Sequence, residues 1–223
     1  MLFKKDRPPG SVEPEDVSEM VSHSRVAGII SATLSQENKK YILDFGKLTQ
    51  GAVDFFGNFS CKYDVVNLFS ELQEAEILPW ESKDQLEEIG LEEKFVNFEK
   101  KIKKTIKNYG VKKYDAIFLW DQFNFLESWQ IKRVFNIIKP LCHWKTNILL
   151  VFPKQKDIPA KPLICSIVDY DCIRYKIATD ARIKNPEHDK LGFYSLAEGF
   201  EQTHSSLSKH GIKECLFSIK RQK

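Results

Sequence analysis

The feature that most constrains this chain is an alternation of apolar runs with helix-period segments. Residues 114–120 read Tyr-Asp-Ala-Ile-Phe-Leu-Trp, and residues 127–141 then place Ile131, Val134, Phe135, Ile138 and Leu141 at helical spacing. Residues 147–152 return as Asn-Ile-Leu-Leu-Val-Phe, stopped by Pro153. Apolar runs without polar alternation are how strands buried on both faces read. Strands that alternate with helices predict a parallel sheet, covered on both faces and joined by right-handed crossovers.

The first half repeats the pattern. Val26, Ile29, Ile30, Thr33 and Leu34 mark an amphipathic helix over a sheet edge, followed by a strand over residues 40–46, a short helix over 51–56 and a second strand over 63–69. Residues 70–90 are acidic and broken by Pro79, Trp80 and Gly90, so the third strand of a doubly wound sheet is not visible there. Over 92–108, Phe95, Phe98, Ile102 and Ile106 form one face of a helix. Its Lys100, Lys101, Lys103, Lys104 and Lys107 read as a solvated face, since no aromatic interleaves them for base stacking.

Residues 171–177 form a candidate extra strand. Residues 200–207 and 212–220 flank Ser208-Lys209-His210-Gly211 and suit an antiparallel hairpin, while a helix over 194–209 ended by Gly211 competes with that reading. The fold class expected is α/β: a doubly wound, mainly parallel Rossmann-like sheet with helices on both faces and a C-terminal antiparallel hairpin. Residues 1–20 read as a loose arm and 21–223 as one domain, a length that supports one core.

Composition excludes more than it selects. A net charge of +3 from 34 basic and 31 acidic residues implies neither a nucleic-acid nor a membrane surface. The opening residues carry no apolar run of signal or spanning length, which sets the expectation of a cytoplasmic protein. Five scattered cysteines without a Cys-x-x-Cys pair suggest reduced thiols, and the adjacent Cys142 and His143 point apart rather than toward one metal.

In open α/β sheets, ligands sit beyond the C-terminal strand ends, where strand order reverses. The first strand ends in Asp44-Phe45-Gly46-Lys47-Leu48-Thr49-Gln50-Gly51, the second at Asn67, and the strand over 114–120 at Trp120-Asp121-Gln122-Phe123-Asn124. This pattern, with residues 212–220 as a last antiparallel strand, resembles the class I S-adenosylmethionine-dependent methyltransferases. The resemblance implies that Asp44 and Gly46 match the first two fixed positions of an acidic-x-Gly-x-Gly-x-Gly loop, with Lys47 between the glycine positions. Leu48 and Gln50 stand where the other two glycines would be, and Gly51 is displaced by one.

Asn67 stands where the family has a carboxylate for the ribose hydroxyls. Trp120 and Asp121 belong to the segment that lines the methionine end, with Phe123 as a second wall and Leu48 narrowing the pocket. The implied cofactor is S-adenosylmethionine, and the implied partner a small-molecule or protein-borne methyl acceptor. Asp121 as a plain helix cap and Trp120 as plain core are the competing readings.

Two functions follow: a methyltransferase with weakened or lost activity, or a non-catalytic binding or regulatory protein on the same fold, for which an occluded cleft is expected. A nicotinamide-dependent oxidoreductase would need the acidic residue and the triple glycine that are missing here. No histidine sits in a nucleophile context. Acceptor specificity would reside in the irregular 70–90 and 153–195 segments.

Overall fold

Side-chain alternation along the apolar runs builds a sheet with two buried faces. In the computed structural model, which describes residues 19–36, 38–78, 88–186 and 193–221, these runs become the central strands. The elements are β1 (Glu19–His23), α1 (Arg25–Leu34), β2 (Lys40–Asp44), α2 (Gln50–Phe56), β3 (Cys61–Val65), α3 (Leu68–Glu74), α4 (Glu88–Asn108) and β4 (Tyr114–Trp120). They continue with α5 (Ser128–Ile138), β5 (Cys142–Pro153), β6 (Asp157–Pro159), β7 (Ile164–Asp169), β8 (Cys172–Lys176), β9 (Arg182–Lys184), α6 (Phe193–Leu196), β10 (Phe200–Leu207) and β11 (Ile212–Ile219).

The central sheet has the order β10-β11-β5-β4-β2-β3. Strands β3, β2, β4 and β5 are parallel neighbours, and β11 runs antiparallel between β5 and β10. From Ala116 onward, past a register irregularity after Tyr114, residues of β4 alternate between the faces. Tyr114, Ile117 and Leu119 join α3, α4 and α5 in one core, while Ala116, Phe118 and Trp120 join α1 and α2 in the other. Removing that much apolar surface from water is the main term holding the layers together.

Several boundaries differ from the sequence reading, each for a local reason. The second strand stops at Val65 because Asn67 caps α3, its side chain accepting from the Ser70 N–H at 3.3 Å, so Leu68 and Phe69 are helical. Glu19 and Met20, assigned to the arm, instead open β1, which pairs with β8 from Glu19↔Lys176 to His23↔Cys172. The hairpin over β10 and β11 replaces the competing 194–209 helix, with Gly211 at φ +70° in its turn. Residues 1–18 and the Pro79-Trp80 break lie outside the described residues. Among the described residues, none between β3 and β4 is a strand, and no helix is long and apolar enough to cross a membrane.

One layer was legible in the sequence only through its middle strand, since the candidate extra strand over 171–177 is β8. A three-stranded antiparallel sheet, β1-β8-β7, lies over the α1/α2 side of the central sheet, with β7 packed on α2. Its anchor is Glu214 of β11, a side chain 1% exposed. The carboxylate accepts from Ser24 Oγ at 2.5 Å, Ser206 Oγ at 3.0 Å and Tyr175 OH at 2.6 Å. Ser24 also caps α1 by accepting from the Ala27 N–H, so one buried carboxylate ties α1, β8 and β10 to the sheet's interior. A buried charge is tolerable only with its lone pairs satisfied in this way.

Candidate functional site

Strand order reverses between β2 and β4, which places the C-terminal ends of these strands side by side at the ligand crevice of a doubly wound sheet. Three residues expected there from sequence do meet. Asp44 Oδ1 accepts from the Gly46 N–H at 2.6 Å and from Trp120 Nε1 at 2.7 Å, and its Oδ2 accepts from Tyr63 OH at 2.6 Å. The carboxyl is 2% exposed, and burial raises it from 3.8 to about 6 against the pull of those three donors. Tyr63, whose hydroxyl is pushed up by burial and by Asp44, was missed in the sequence because a strand tyrosine reads simply as core.

Trp120 closes this corner. Its indole is 1% exposed, and its backbone adopts the left-handed region with φ +49°, unusual for a bulky residue. A Cβ built on Gly46 would lie 2.7 Å from Trp120 Cδ1 and 2.8 Å from its Nε1. The glycine is therefore needed to let the indole, an internal group, lie against the loop. Gly46→Ala is expected to destabilise the fold by about 1–3 kcal/mol, the usual range for overpacking. Urea unfolding checks this, and a loss below measurement error would mean that the indole gives way freely.

Asp121 follows at 2% exposure. Its Oδ2 accepts from the Leu163 N–H at 3.0 Å, while the buried Oδ1 has no side-chain or main-chain donor in place among the described residues. Desolvation raises the carboxyl from 3.8 to about 7, the Leu163 bond opposing it. Asp121 is not the cap of α5: Glu127 takes that place, in a capping box with Gln130. Phe123 does not wall the crevice either, because it is fully buried on the opposite face against Phe135 and Phe193.

The remaining positions spread outward. Leu48 is 54% exposed and narrows nothing, and Gln50 Nε2 donates to Asp54 on the surface of α2. Thr49 caps α2, and a Cβ on Gly51 would meet Arg174 Nη1 and Val168 Cγ1 at 3.3 Å, so β7 and β8 crowd the start of that helix. Lys47, Asn67 and Gln122 line a cavity of about 310 Å³, to which Lys161, Pro162 and Leu163 also contribute. Gln122, Tyr63 and the 161–163 segment are the site residues that sequence reasoning did not find. The last of these comes from the irregular stretch before β7, whose position no local pattern encodes.

Cys165 is buried, and burial, with the Asp121, Asp44 and Glu214 carboxylates, pushes its thiol well above its ordinary value, which favours the protonated form over the reactive thiolate. Cys142 donates to the Ile138 carbonyl while His143 faces Asp115, so this pair does not converge. The α4 lysines Lys101 and Lys103 pair with Glu71, Glu74 and Glu99.

A doubly wound, mainly parallel sheet with its switch point between β2 and β4, and with an antiparallel strand beside β5, defines the class: a Rossmann-like α/β fold. No family model and no curated protein matches the sequence. Among solved structures the chain is similar to an S-adenosylmethionine-dependent methyltransferase from Clostridium acetobutylicum, at 10% identity over 88% of this chain and 91% of that one, TM-score 0.44. It is also similar to the glycopeptide N-methyltransferase MtfA complexed with S-adenosyl-L-methionine, at 9% identity over 89% and 95% of the two chains, TM-score 0.42. A third is an S-adenosylmethionine-dependent methyltransferase from Leishmania major, at 11% identity over 87% and 71%, TM-score 0.38.

Proposed function

We propose that this chain is a non-catalytic member of the methyltransferase-type fold, a cytoplasmic binding or regulatory protein whose cofactor crevice is filled from within. The observation that carries the reading is the Trp120 indole seated against Gly46 and hydrogen-bonded to Asp44. Glycines in such a loop serve to bring the backbone close to a ligand. Here that close approach is taken by a side chain of the same protein.

The rest of the crevice supports the same reading. Asp44 has donors on both oxygens, Asn67 turns its oxygen to the Ser70 N–H of α3, and Asp121 holds the backbone of Leu163. The residues present therefore do not fit S-adenosylmethionine, and no catalytic step is routed through it. The cavity of about 310 Å³ lies at the lower limit of small-molecule sites, which run from about 300 to 1,000 Å³.

A weakened methyltransferase is the second reading, favoured by one observation: Lys47 and Asn67, two of the expected cofactor residues, do line that cavity. Titration calorimetry with S-adenosylmethionine and S-adenosylhomocysteine separates the two, with Asn67→Asp as a parallel sample. The expected result is no saturable binding tighter than about 1 mM for either protein, equivalent to about −4 kcal/mol. Saturation of the wild type by either ligand below that concentration overturns the proposal in favour of the methyltransferase.

A further inference from the structure

At the end of the three-stranded sheet, the register places chemistry-bearing residues on one rung. His23 of β1 is the cross-strand partner of Cys172 of β8, and Cys172 is in turn opposite Asp169 of β7. Partners across a sheet project from the same face with Cβ atoms about 4.5–5.5 Å apart. Asp171 sits in the turn that leads into β8, where the side-chain alternation of a strand no longer applies, and its carboxylate contacts both His23 and Cys172. Its Oδ2 lies 2.9 Å from His23 Nδ1, and its Oδ1 accepts from Cys172 Sγ at 3.5 Å. One ligand atom each from His23, Asp171 and Cys172 lies within 4.8 Å of the others.

The geometry points to a divalent transition-metal site, suited to Zn²⁺, with His23 Nδ1, an Asp171 carboxylate oxygen and the Cys172 thiolate as ligands and a fourth position for water. Zinc takes nitrogen at about 2.0–2.1 Å, carboxylate oxygen at about 2.0–2.2 Å and sulfur at about 2.3 Å. Tetrahedral bonds of those lengths set ligand atoms roughly 3.3–3.8 Å apart, so the cluster reaches that arrangement by small side-chain rotations. An ordinary surface ion pair accounts for His23 and Asp171, but not for a thiol placed by register on the same rung. The mixed nitrogen, oxygen and sulfur donor set is one that zinc accepts.

The entry path is open, because the His23 side chain is 83% exposed and that of Asp171 46%. Zinc takes the thiolate, so metal binding replaces the Cys172 thiol proton: the S–H bond breaks, the sulfur keeps the electron pair and donates it to the metal, and the proton goes to solvent. A bound ion would fasten β1 to the β7–β8 turn, beside the existing Ser24 N–H bond to the Asp171 carbonyl at 2.7 Å.

The test titrates Zn²⁺ into the reduced full-length chain in two buffers of different ionisation heat, and records Co²⁺ absorption in parallel. Expected are one equivalent of Zn²⁺, a heat that depends on the buffer through proton release, and a thiolate-to-cobalt charge-transfer band. His23→Ala and Cys172→Ser should each weaken binding by at least about tenfold, and Cys172→Ser should abolish the band. Cys61→Ser, which alters a thiol far from the rung in sequence, should change neither. Both ligand variants alter side chains near the surface, so their thermal unfolding without metal should match the wild type. The proposal is overturned if no stoichiometric binding occurs, if binding survives both ligand variants, or if the cobalt complex lacks the band.

Discussion

Trp120→Ala is expected to cost about 3–5 kcal/mol of stability, measured as the shift in the urea midpoint at constant slope. The indole is 1% exposed and packs against Phe118 with ring centroids 5.3 Å apart. Truncation therefore leaves a cavity that the rigid strand ends cannot collapse, and it removes one of the donors to the buried Asp44 carboxylate. Backbone strain supplies an internal control. With φ at +49°, residue 120 sits where alanine is penalised and glycine is not. Trp120→Gly should therefore be about 1 kcal/mol more stable than Trp120→Ala, the reverse of the order in an ordinary strand. A loss below about 1 kcal/mol for alanine, or a glycine variant less stable than the alanine one, would mean that the indole does not close this corner as described.

The same residue shows where sequence reading succeeds and stops. The fold was legible because hydrophobic period is local: residues 114–120 and 147–152 appear as β4 and the core of β5, and the hairpin over β10 and β11 follows from its two runs and Gly211. Register across strands is not local, so nothing in the sequence says that Trp120 turns onto Gly46 rather than outward toward a ligand. Asn67 reads equally well as the end of a strand or as a helix cap, and only the position of Ser70 decides it. The sheet of β1, β8 and β7 was only partly legible for a related reason. Its middle strand β8 was read over 171–177, but its partner β1 lies about 150 residues earlier in the chain, and β7 reads Ile-Cys-Ser-Ile-Val-Asp, too short and mixed to stand out among prolines.

That added sheet gives the crevice its physical character. A ligand site at strand ends normally relies on backbone amides and a solvated opening. Here β7 lies on α2 and the 161–163 segment lies over Asp121, so the groups that would face a ligand face the protein instead. Buried polar groups at such a position persist only when the surrounding structure over-determines them. The clamp on Glu214 does this for the sheet as a whole, since loosening β8 would take the Tyr175 hydroxyl from a buried carboxylate that Ser24 and Ser206 also serve.

Asp121 makes the cost of this arrangement measurable as a pH dependence. Its carboxyl moves from 3.8 to about 7 on folding, chiefly through desolvation. The native state therefore holds this proton where the unfolded chain has released it. Stability from this residue is fully present below about pH 4, falls as the pH rises, and is lost by the time the pH passes about 7. A displacement of that size corresponds to about 4 kcal/mol, to order of magnitude. Asp44, raised to about 6 by the same cause, contributes in the same direction over a narrower window. Asp121→Asn keeps an oxygen that can accept from the Leu163 N–H and removes the titration. Relative to wild type, the variant should gain about 2–3 kcal/mol in urea unfolding at pH 8 compared with pH 5, the share of the titration that lies between pH 5 and about 7, because the cost of the amide hydrogens it introduces is the same at both pH values and cancels. If the difference between the two proteins is the same at both pH values, Asp121 is ionised in the folded state throughout, and the crevice is wetter than its packing implies.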